Sequence, residues 1–374
     1  MRIVANISRM LIGLVFILSG FVKGVDPLGT SYRLEDYFQV FHLTWLMPAA
    51  LFFSILLCVF EFALGLALMF SIRLKVTAWI MLLVTGFFTV LTFFDALNNS
   101  VPDCGCFGDA LKLTNWQTFY KNIVLMVLAV IVFSRRKRTV PYFLPKSEVR
   151  FTGIAIALFT ALCVYSYAML PVIDFLPYKV GSRIVSKVAP EPTIYLTYKN
   201  NKTGETKEYL SPNFPWNDKV WMAEWSFVSQ RVNAAGNNET LYLQDFHGAD
   251  VTREILSNPK GQLLIVSYDV EKASLKALSK AIELGNKATE RYLSTAMLTS
   301  SLAKNHNFIS VPVPMHFEFY NVDDVPLKMF VRANPGVVLL RDGVIMGKWS
   351  SYDLPTVDEL YMILLKEPEK SKES

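Results

Sequence analysis

The chain has 374 residues, of which 52% are hydrophobic and 18% are charged, and its mean hydropathy is +0.32. This composition is too apolar for a soluble protein of such length, so it predicts membrane-spanning segments. The formal net charge of +5 is accounted for by one basic loop, which argues against a nucleic-acid-binding face.

Five apolar runs, each of about 18 to 26 residues, are long enough to cross the ~30 Å hydrocarbon layer as helices. They comprise residues 4–24, 46–71, 76–97, 117–134 and 152–173. No such run follows residue 175, so the sequence predicts an α-helical membrane bundle followed by a water-soluble half. The first run has arginines before it but no small-residue cleavage site after it, and we expect it to be retained as a span.

The connection after the fourth run is strongly basic. Its Lys and Arg residues are Arg135, Arg136, Lys137, Arg138, Lys146 and Arg150. Because cationic loops stay on the cytoplasmic side, residues 136–151 are predicted to form a cytoplasmic loop. The amino terminus is then cytoplasmic, and the loop before the fourth run and the chain beyond residue 174 face outward. In a bacterial inner membrane this side is the periplasm, which is oxidising.

The stretch VPDCGCFGD, before the fourth run, contains two of the four cysteines of the chain. Gly105 lies between Cys104 and Cys106 and lets the backbone turn enough to bring the sulfurs together. A disulfide closed over so few atoms is strained and easily reduced, which suits exchange. A reversible dithiol, a static bridge or pair of reduced thiols, and a metal clip remain open interpretations.

The metal clip is the weakest of the three, because two thiols supply half of the four ligands that zinc normally takes. His247, His306 and His316 have no ligand spacing to one another, so no metal site is predicted. Cys58 and Cys163 lie near the middle of the second and fifth runs and are expected to be small packing residues.

Several ionisable residues lie within or at the ends of the apolar runs, and three of them are candidate site residues. Glu61 is inside the second run, and Lys23 and Asp95 are near the outward ends of the first and third. A charge in hydrocarbon costs several kcal/mol unless it is paired or hydrated. We expect the bundle to gather Lys23, Asp95 and the Cys-Gly-Cys loop at one mouth. The three residues can face a cofactor. Alternatively, Lys23 and Asp95 can form a salt bridge that packs helices together, and both interpretations remain open.

The motifs SGFVKGVDP, FEFALGLALMF and DCGCFGD resemble the DoxX-like superfamily, and most closely its methylamine-utilisation MauE branch, over roughly residues 1–135. The resemblance implies a four-helix inner-membrane protein linked to periplasmic thiol chemistry, which assists maturation of a disulfide-rich partner alongside a thioredoxin-like protein. The positions that match the motifs are Lys23, Glu61, Cys104, Gly105, Cys106, Phe107 and Gly108.

The chain continues through the fifth span, residues 152–174, into a predicted periplasmic half. Residues 175–240 are predicted to be a β-rich extension, because apolar and polar residues alternate in two stretches. The first stretch is TIYLTYKN, and the second is ETLYLQDF, which begins at residue 239 and continues past residue 240. Strands and helices then alternate over residues 241–370, which predicts an α/β layer fold. Residues 371–374 are predicted to be a disordered tail.

The segment ANPGVVLLRDGVIMGKW resembles the cis-proline and terminal hairpin of a thioredoxin-like fold, with Pro335 as the cis-proline. LYLQDFHGADVTREIL is similar to an element of TlpA-like members, although a generic α/β domain remains open. The Cys-x-x-Cys of that fold is absent, since SYDVEKAS stands in its place and no cysteine follows Cys163. The resemblance then implies a partner-binding surface at Asn334, Pro335 and Gly336.

Two functions from different classes follow from these patterns. In the first, Cys104 and Cys106 exchange disulfides with a periplasmic protein docked on the outward domain, and a quinone near Glu61, Lys23 and Asp95 is the candidate cofactor. In the second, the chain is a non-catalytic membrane scaffold of an envelope complex. A transporter is less favoured, because the five runs show no internal repeat.

Overall fold

The computed structural model describes most of the chain in two compact units, Met1–Leu176 and Pro177–Ser374. The described residues are 2–98, 101, 105–137, 145–184, 193–210, 215, 218–233, 241–245, 248–301 and 313–366. Cys104, His247, His306 and the predicted disordered tail lie outside them.

The first unit is helical. Its α-helices are α1 (Arg2–Val25), α2 (Pro27–Val40), α3 (Ala50–Met69), α4 (Leu74–Asn98), α5 (Asn115–Arg135) and α6 (Pro145–Met169), with a 3₁₀ helix at Thr44–Ala49 before α3. All of these except α2 belong to segments that are long and apolar enough to cross a membrane, which confirms the five predicted spans. Spans of this kind place the unit in contact with membrane lipid.

Helix α2 was not predicted, and its start has a clear local cause. The Asp26 carboxylate caps the helix by accepting a hydrogen bond from the Gly29 amide at 2.9 Å, and Pro27 occupies the first helical turn. The Ser54 hydroxyl of α3 donates to the Pro27 carbonyl at 2.6 Å. The beginning of α2 is thereby fixed to α3, and the remainder of the helix stays close to the bundle.

Helices α1 and α3 approach each other at glycines. A Cβ atom on Gly65 would lie 2.7 Å from the Gly13 carbonyl oxygen and 2.7 Å from the Ile17 amide nitrogen, both backbone atoms of α1. A Cβ on Gly20 would similarly lie 2.7 Å from the Phe62 amide nitrogen. Small residues at such positions let transmembrane helices pack backbone to backbone. Helices α1 and α3 therefore cross with their backbones in close contact.

The two isolated cysteines are packing residues, as predicted. Cys58 of α3 and Cys163 of α6 are fully buried and share one apolar cluster with Phe159. The Phe159 ring stacks on Phe62 at a centroid distance of 4.0 Å. Helix α6 is thus attached to the bundle through apolar contacts on the side of α3.

The second unit is mixed α/β, which confirms the predicted class. A three-stranded antiparallel sheet in the order β2-β1-β3 comes first, and a five-stranded mixed sheet in the order β6-β5-β4-β7-β8 follows. The strands are β1 (Thr193–Asn200), β2 (Thr206–Leu210), β3 (Trp225–Asn233), β4 (Gln262–Val266), β5 (Ser294–Thr299), β6 (Glu318–Asn321), β7 (Gly336–Arg341) and β8 (Val344–Ser350). The helices are α7 (Lys219–Glu224), α8 (Thr252–Leu256), α9 (Leu275–Glu290), α10 (Asp324–Phe330) and α11 (Val357–Leu364).

The core of the five-stranded sheet lies under α9 and α11. Strand β4 pairs in parallel with β5 and antiparallel with β7, and all five of its residues are buried. Leu278 of α9 and Leu360 of α11 are fully buried against Ile265 of β4. The peptide bond between Asn334 and Pro335, immediately before β7, is cis, as predicted.

One predicted strand is absent from the structure. In the stretch ETLYLQDF, residues 241–245 form no strand, and Gln244 makes only isolated bridges to Asp250 and to Asn321 of β6. Leu241 and Leu243 are nevertheless buried. The apolar alternation that predicted the strand therefore reflects packing of an extended segment beside the sheet.

The backbone contact between α1 and α3 predicts the effect of adding one methyl group. Replacing Gly65→Ala places a carbon against backbone atoms that cannot rotate away, so the helices must separate, at a cost of about 1–3 kcal/mol. We expect thermal unfolding of the full chain in detergent to occur at a lower temperature.

Gly153→Ala in α6 is the matched control, because nothing lies within 4 Å of its added Cβ. It is expected to keep or raise the unfolding temperature, since alanine is the better helix former. Equal losses in both variants would contradict close packing at Gly65.

Candidate functional site

A buried ion pair joins α1 and α3. The Lys23 ammonium lies 2.6 Å from the Glu61 carboxylate, and the two side chains are only 6% and 4% exposed. The Ser19 hydroxyl, one turn before Lys23, lies within hydrogen-bond distance of Glu61 Oε2, at 2.9 Å. Burying a charged group is costly unless an opposite charge lies at hydrogen-bond distance. Here each charged group finds that partner on the neighbouring helix. The close crossing at Gly20 and Gly65 brings these side chains within reach.

The Cys-Gly-Cys loop is attached to this pair through Ser19. Its hydroxyl lies 2.6 Å from the carbonyl oxygen of Cys106 as well as near Glu61. Cys106 is half-buried, and Lys23 interacts electrostatically with both Glu61 and Cys106. A single serine therefore links the loop backbone to the buried charges.

Arg33 of α2 holds the same loop from the other side. Its guanidinium donates to the Asp109 carboxylate at 3.0 Å, and both side chains are largely buried. Gly105 has a φ of +63°, and a Cβ there would lie 2.1 Å from Arg33 Cδ. The backbone conformation favours glycine at this position, and a Cβ there would force the Arg33 side chain to move. The unpredicted helix α2 thus contributes directly to the shape of the loop.

These groups lie on the wall of a cavity of about 320 Å³ within the first unit. Ser19, Lys23, Glu61 and Cys106 contribute to its polar wall, and Arg33 and Gly105 also line the cavity. Its apolar wall comes from all of helices α1 to α5 and the segment after α2, and consists of Val15, Phe16, Leu34, Phe38, Phe41, Leu43, Leu57, Phe87, Phe88, Leu91 and Leu125. Cavities with a mainly apolar lining and a few convergent polar groups are typical small-molecule sites.

Asp95 does not pair with Lys23. Its carboxylate accepts a hydrogen bond from the Tyr37 hydroxyl of α2 at 2.6 Å, and Tyr37 lines the cavity. The salt bridge that remained open for Lys23 is formed with Glu61, a pairing that the sequence did not predict. Asp95 is therefore connected to the site through α2 and Tyr37, while Lys23 and Glu61 form its charged centre.

The remaining motif residues surround the loop. Lys121 of α5 lies over the Phe107 ring at 4.9 Å from its centroid and also lines the cavity. Gly108 has a φ of +52°, and its amide donates to the Gly105 carbonyl at 3.0 Å, closing a turn. Cys104 belongs to the same motif but is outside the described residues, so its pairing with Cys106 stays a prediction.

The structure also reveals contributors that the sequence did not indicate. Ser19, Arg33, Tyr37 and Lys121 all line the cavity and contact motif residues or Asp95. Arg33 and Tyr37 are four residues apart, which places them on one face of a helix, and recognising α2 would have revealed this signal. Ser19 lies one turn before Lys23 and was hidden within an apolar run.

In the second unit, the predicted partner-binding residues have unequal access to the surface. Pro335 and Gly336 are buried, and Asn334 is half-buried. The Asn334 side chain accepts from the Ser267 hydroxyl at 2.8 Å and donates to the Asp269 carbonyl at 2.7 Å. Both contacts fall in SYDVEKAS, the stretch that replaces the expected cysteines. Asn334 therefore joins the loop before β7 to the end of β4.

The residues that line the cavity belong to a part of the chain that matches a known protein family. Residues 1–135 match the family model described as methylamine utilisation protein MauE. The chain is 29% identical to "Protein TlpB" of Flavobacterium psychrophilum over 136 residues, which are 35% of this chain and 36% of that protein. The similarity thus spans about 36% of the length of this curated relative. No solved structure matches the chain.

A double-mutant cycle measures the coupling of the buried ion pair. Lys23→Met and Glu61→Leu each leave one buried charge without its partner, and each is expected to lower stability by about 3–5 kcal/mol. The double variant removes both charges and is expected to lose less than either single variant. Thermal unfolding of the full chain in detergent gives all three values. Additive losses would show that the two side chains do not act as a pair.

The contact of Arg33 with Gly105 gives a second prediction. In a Cys104→Ser background, Gly105→Ala is expected to displace the loop from Arg33 and Ser19 and to accelerate maleimide alkylation of Cys106. Cys58 and Cys163 are fully buried and contribute only a slow background.

Gly108→Ala is the matched control, because it imposes the same unfavourable positive φ, about 1–2 kcal/mol, while its Cβ would lie 3.5 Å from the nearest atom. Its alkylation rate is expected to stay close to that of the parent. The same acceleration in both variants would assign the effect to backbone strain and not to Arg33.

Proposed function

We propose that the chain is a membrane protein of thiol-disulfide exchange in which Cys104 and Cys106 form the exchanging pair. The observation that carries this proposal is the position of Cys106. Its carbonyl oxygen lies 2.6 Å from the Ser19 hydroxyl, and Cys106 lines the same cavity as Lys23 and Glu61. A cysteine that served only to pack would not require a loop held by Ser19 and Arg33 at a buried charge pair.

The exchange balances without a further reagent. A thiolate of a partner protein attacks one sulfur of the Cys104–Cys106 disulfide, so that a mixed disulfide forms and the other sulfur leaves as a thiolate. A second partner thiol then attacks the first partner sulfur and displaces this chain's cysteine as a thiolate, which leaves the partner oxidised and the pair reduced. The reverse sequence transfers the disulfide to this chain. The matching MauE family region supports the assignment to this membrane unit.

The second unit is proposed to be a thioredoxin-like docking domain without redox chemistry. Support comes from the arrangement of β5, β4, β7 and β8, in which a parallel β-α-β unit is followed by an antiparallel hairpin, and from the cis peptide bond before β7. The docking surface is assigned to Asn334 with Pro335 and Gly336 beneath it, where an extended peptide of a periplasmic partner would lie.

The proposed location is a bacterial inner membrane, with the amino terminus in the cytoplasm and the second unit in the periplasm. The argument is the excess of Lys and Arg between α5 and α6. The Cys104 and Cys106 pair then lies on the oxidising side, as exchange with a secreted partner requires.

A specific observation favours the alternative of a non-catalytic scaffold. The chain has no cysteine after Cys163, so the second unit cannot relay a disulfide from a partner to the membrane unit. In this alternative the Cys-Gly-Cys loop is static and the second unit holds an envelope complex together.

Thiol trapping in intact cells separates the two functions. Cys106→Ser removes the resolving sulfur, so mixed disulfides between Cys104 and its partner are expected to accumulate and to disappear on reduction. Cys163→Ser is the matched control, because it removes a buried thiol and leaves the pair intact. If Cys106→Ser yields no adduct under oxidising or reducing stress, the scaffold is supported and exchange is rejected.

A further inference from the structure

The cavity of the first unit has a mainly apolar lining with several polar groups, among them Lys23, Glu61, Lys121 and Asn122. Five phenyl rings line it, from Phe16, Phe38, Phe41, Phe87 and Phe88. The charged groups Lys23 and Glu61 lie together with Ser19 beside the Cys-Gly-Cys loop. A ligand that suits this lining needs an apolar body and a hydrogen-bond acceptor near Lys23.

Lys23 is placed to recognise such an acceptor. An ammonium group has three N–H donors, and the contact with Glu61 leaves donors for an oxygen atom in the cavity that Lys23 lines. A carbonyl oxygen suits this position because it brings no charge of its own into an apolar site. Ionisable residues retained inside a membrane span usually mark a ligand or ion site, and here the pair faces a cavity.

We infer that this cavity binds an isoprenoid quinone, with one ring carbonyl directed at Lys23 and the ring among the phenylalanines. The volume of about 320 Å³ falls within the range of small-molecule sites, roughly 300–1,000 Å³. A plain hydrocarbon chain fits the apolar wall but offers no acceptor to the ammonium. The head group of a quinone has an apolar ring for the cavity wall and a carbonyl oxygen that can accept a hydrogen bond from the ammonium. Its isoprenoid tail is compatible with surrounding lipid.

The electron-transfer role of this ligand rests on the thiol exchange proposed above, whereas its binding rests on the cavity alone. Two reduced thiols lose two electrons and two protons as one sulfur–sulfur bond forms. The quinone gains the same two electrons and two protons, and its two carbonyl oxygens become the hydroxyls of a quinol. The chain would thereby regenerate a disulfide at the loop, with Cys106 on the wall of the quinone cavity.

Binding of decylubiquinone to the purified full chain in detergent tests the inference. Bound quinone is separated by gel filtration, extracted and measured by its absorbance. Leu57→Trp fills the cavity one turn before Glu61 and is expected to weaken binding about tenfold or more. Leu56→Trp is the matched control, because Leu56 is 52% exposed on the other face of α3 and does not line the cavity.

If Leu57→Trp fails to fold, Leu91→Trp in the cavity wall and exposed Leu83→Trp provide an equivalent pair on α4. Decylbenzene has the same tail without carbonyl oxygens and is expected to compete poorly. Equal binding of decylbenzene would show a general apolar site and overturn the inference, as would an undiminished affinity in the cavity-filling variants.

The two proposals fail separately. Decylubiquinone is expected to bind to a Cys104→Ser, Cys106→Ser double variant, because neither sulfur is needed to hold the ring. Absence of binding in every form, with mixed disulfides still trapped in cells, would reject the quinone and retain thiol exchange. Binding without any trapped adduct would retain the quinone site and reject its coupling to the loop.

Discussion

The buried contact between Lys23 and Glu61 is the interaction on which the membrane unit depends. Two opposite charges in an apolar bundle are tolerated only when they neutralise each other at hydrogen-bond distance, and the 2.6 Å contact meets that condition. The requirement fixes the rotation of α1 and α3 about their axes. It also places Ser19 toward the loop, so the position of Cys106 follows from the placement of the charges.

Helix α2 forms part of the wall of the cavity around this charged centre. Arg33, Leu34, Tyr37 and Phe38 of this helix line the cavity. Arg33 of the same helix holds the loop by its hydrogen bond to Asp109, and Tyr37 donates a hydrogen bond to the Asp95 carboxylate. The non-spanning helix therefore shapes the cavity together with the helices that cross the membrane.

The sequence predicts the spans well because hydropathy depends on composition alone. It predicts Lys23, Glu61 and Asp95 as unusual residues but not their pairing, which depends on helix rotation and on the approach of α1 to α3. Helix α2 was missed because its mixed composition resembles a loop, although Asp26 followed by Pro27 is a helix-start signal. In the second unit, alternation alone suggested a strand near Leu243, where only an extended segment lies beside the sheet.

The glycines of the crossing between α1 and α3 have an implication for genetics. None of them carries a reactive group, yet the separation of the two backbones at Gly20 and Gly65 determines whether an ammonium on one helix can reach a carboxylate on the other. A selection for inactive alleles would accordingly recover changes at these chemically inert glycines as readily as at Lys23 and Glu61. The absence of a side chain at Gly20 and Gly65 is thus itself a heritable requirement of this bundle.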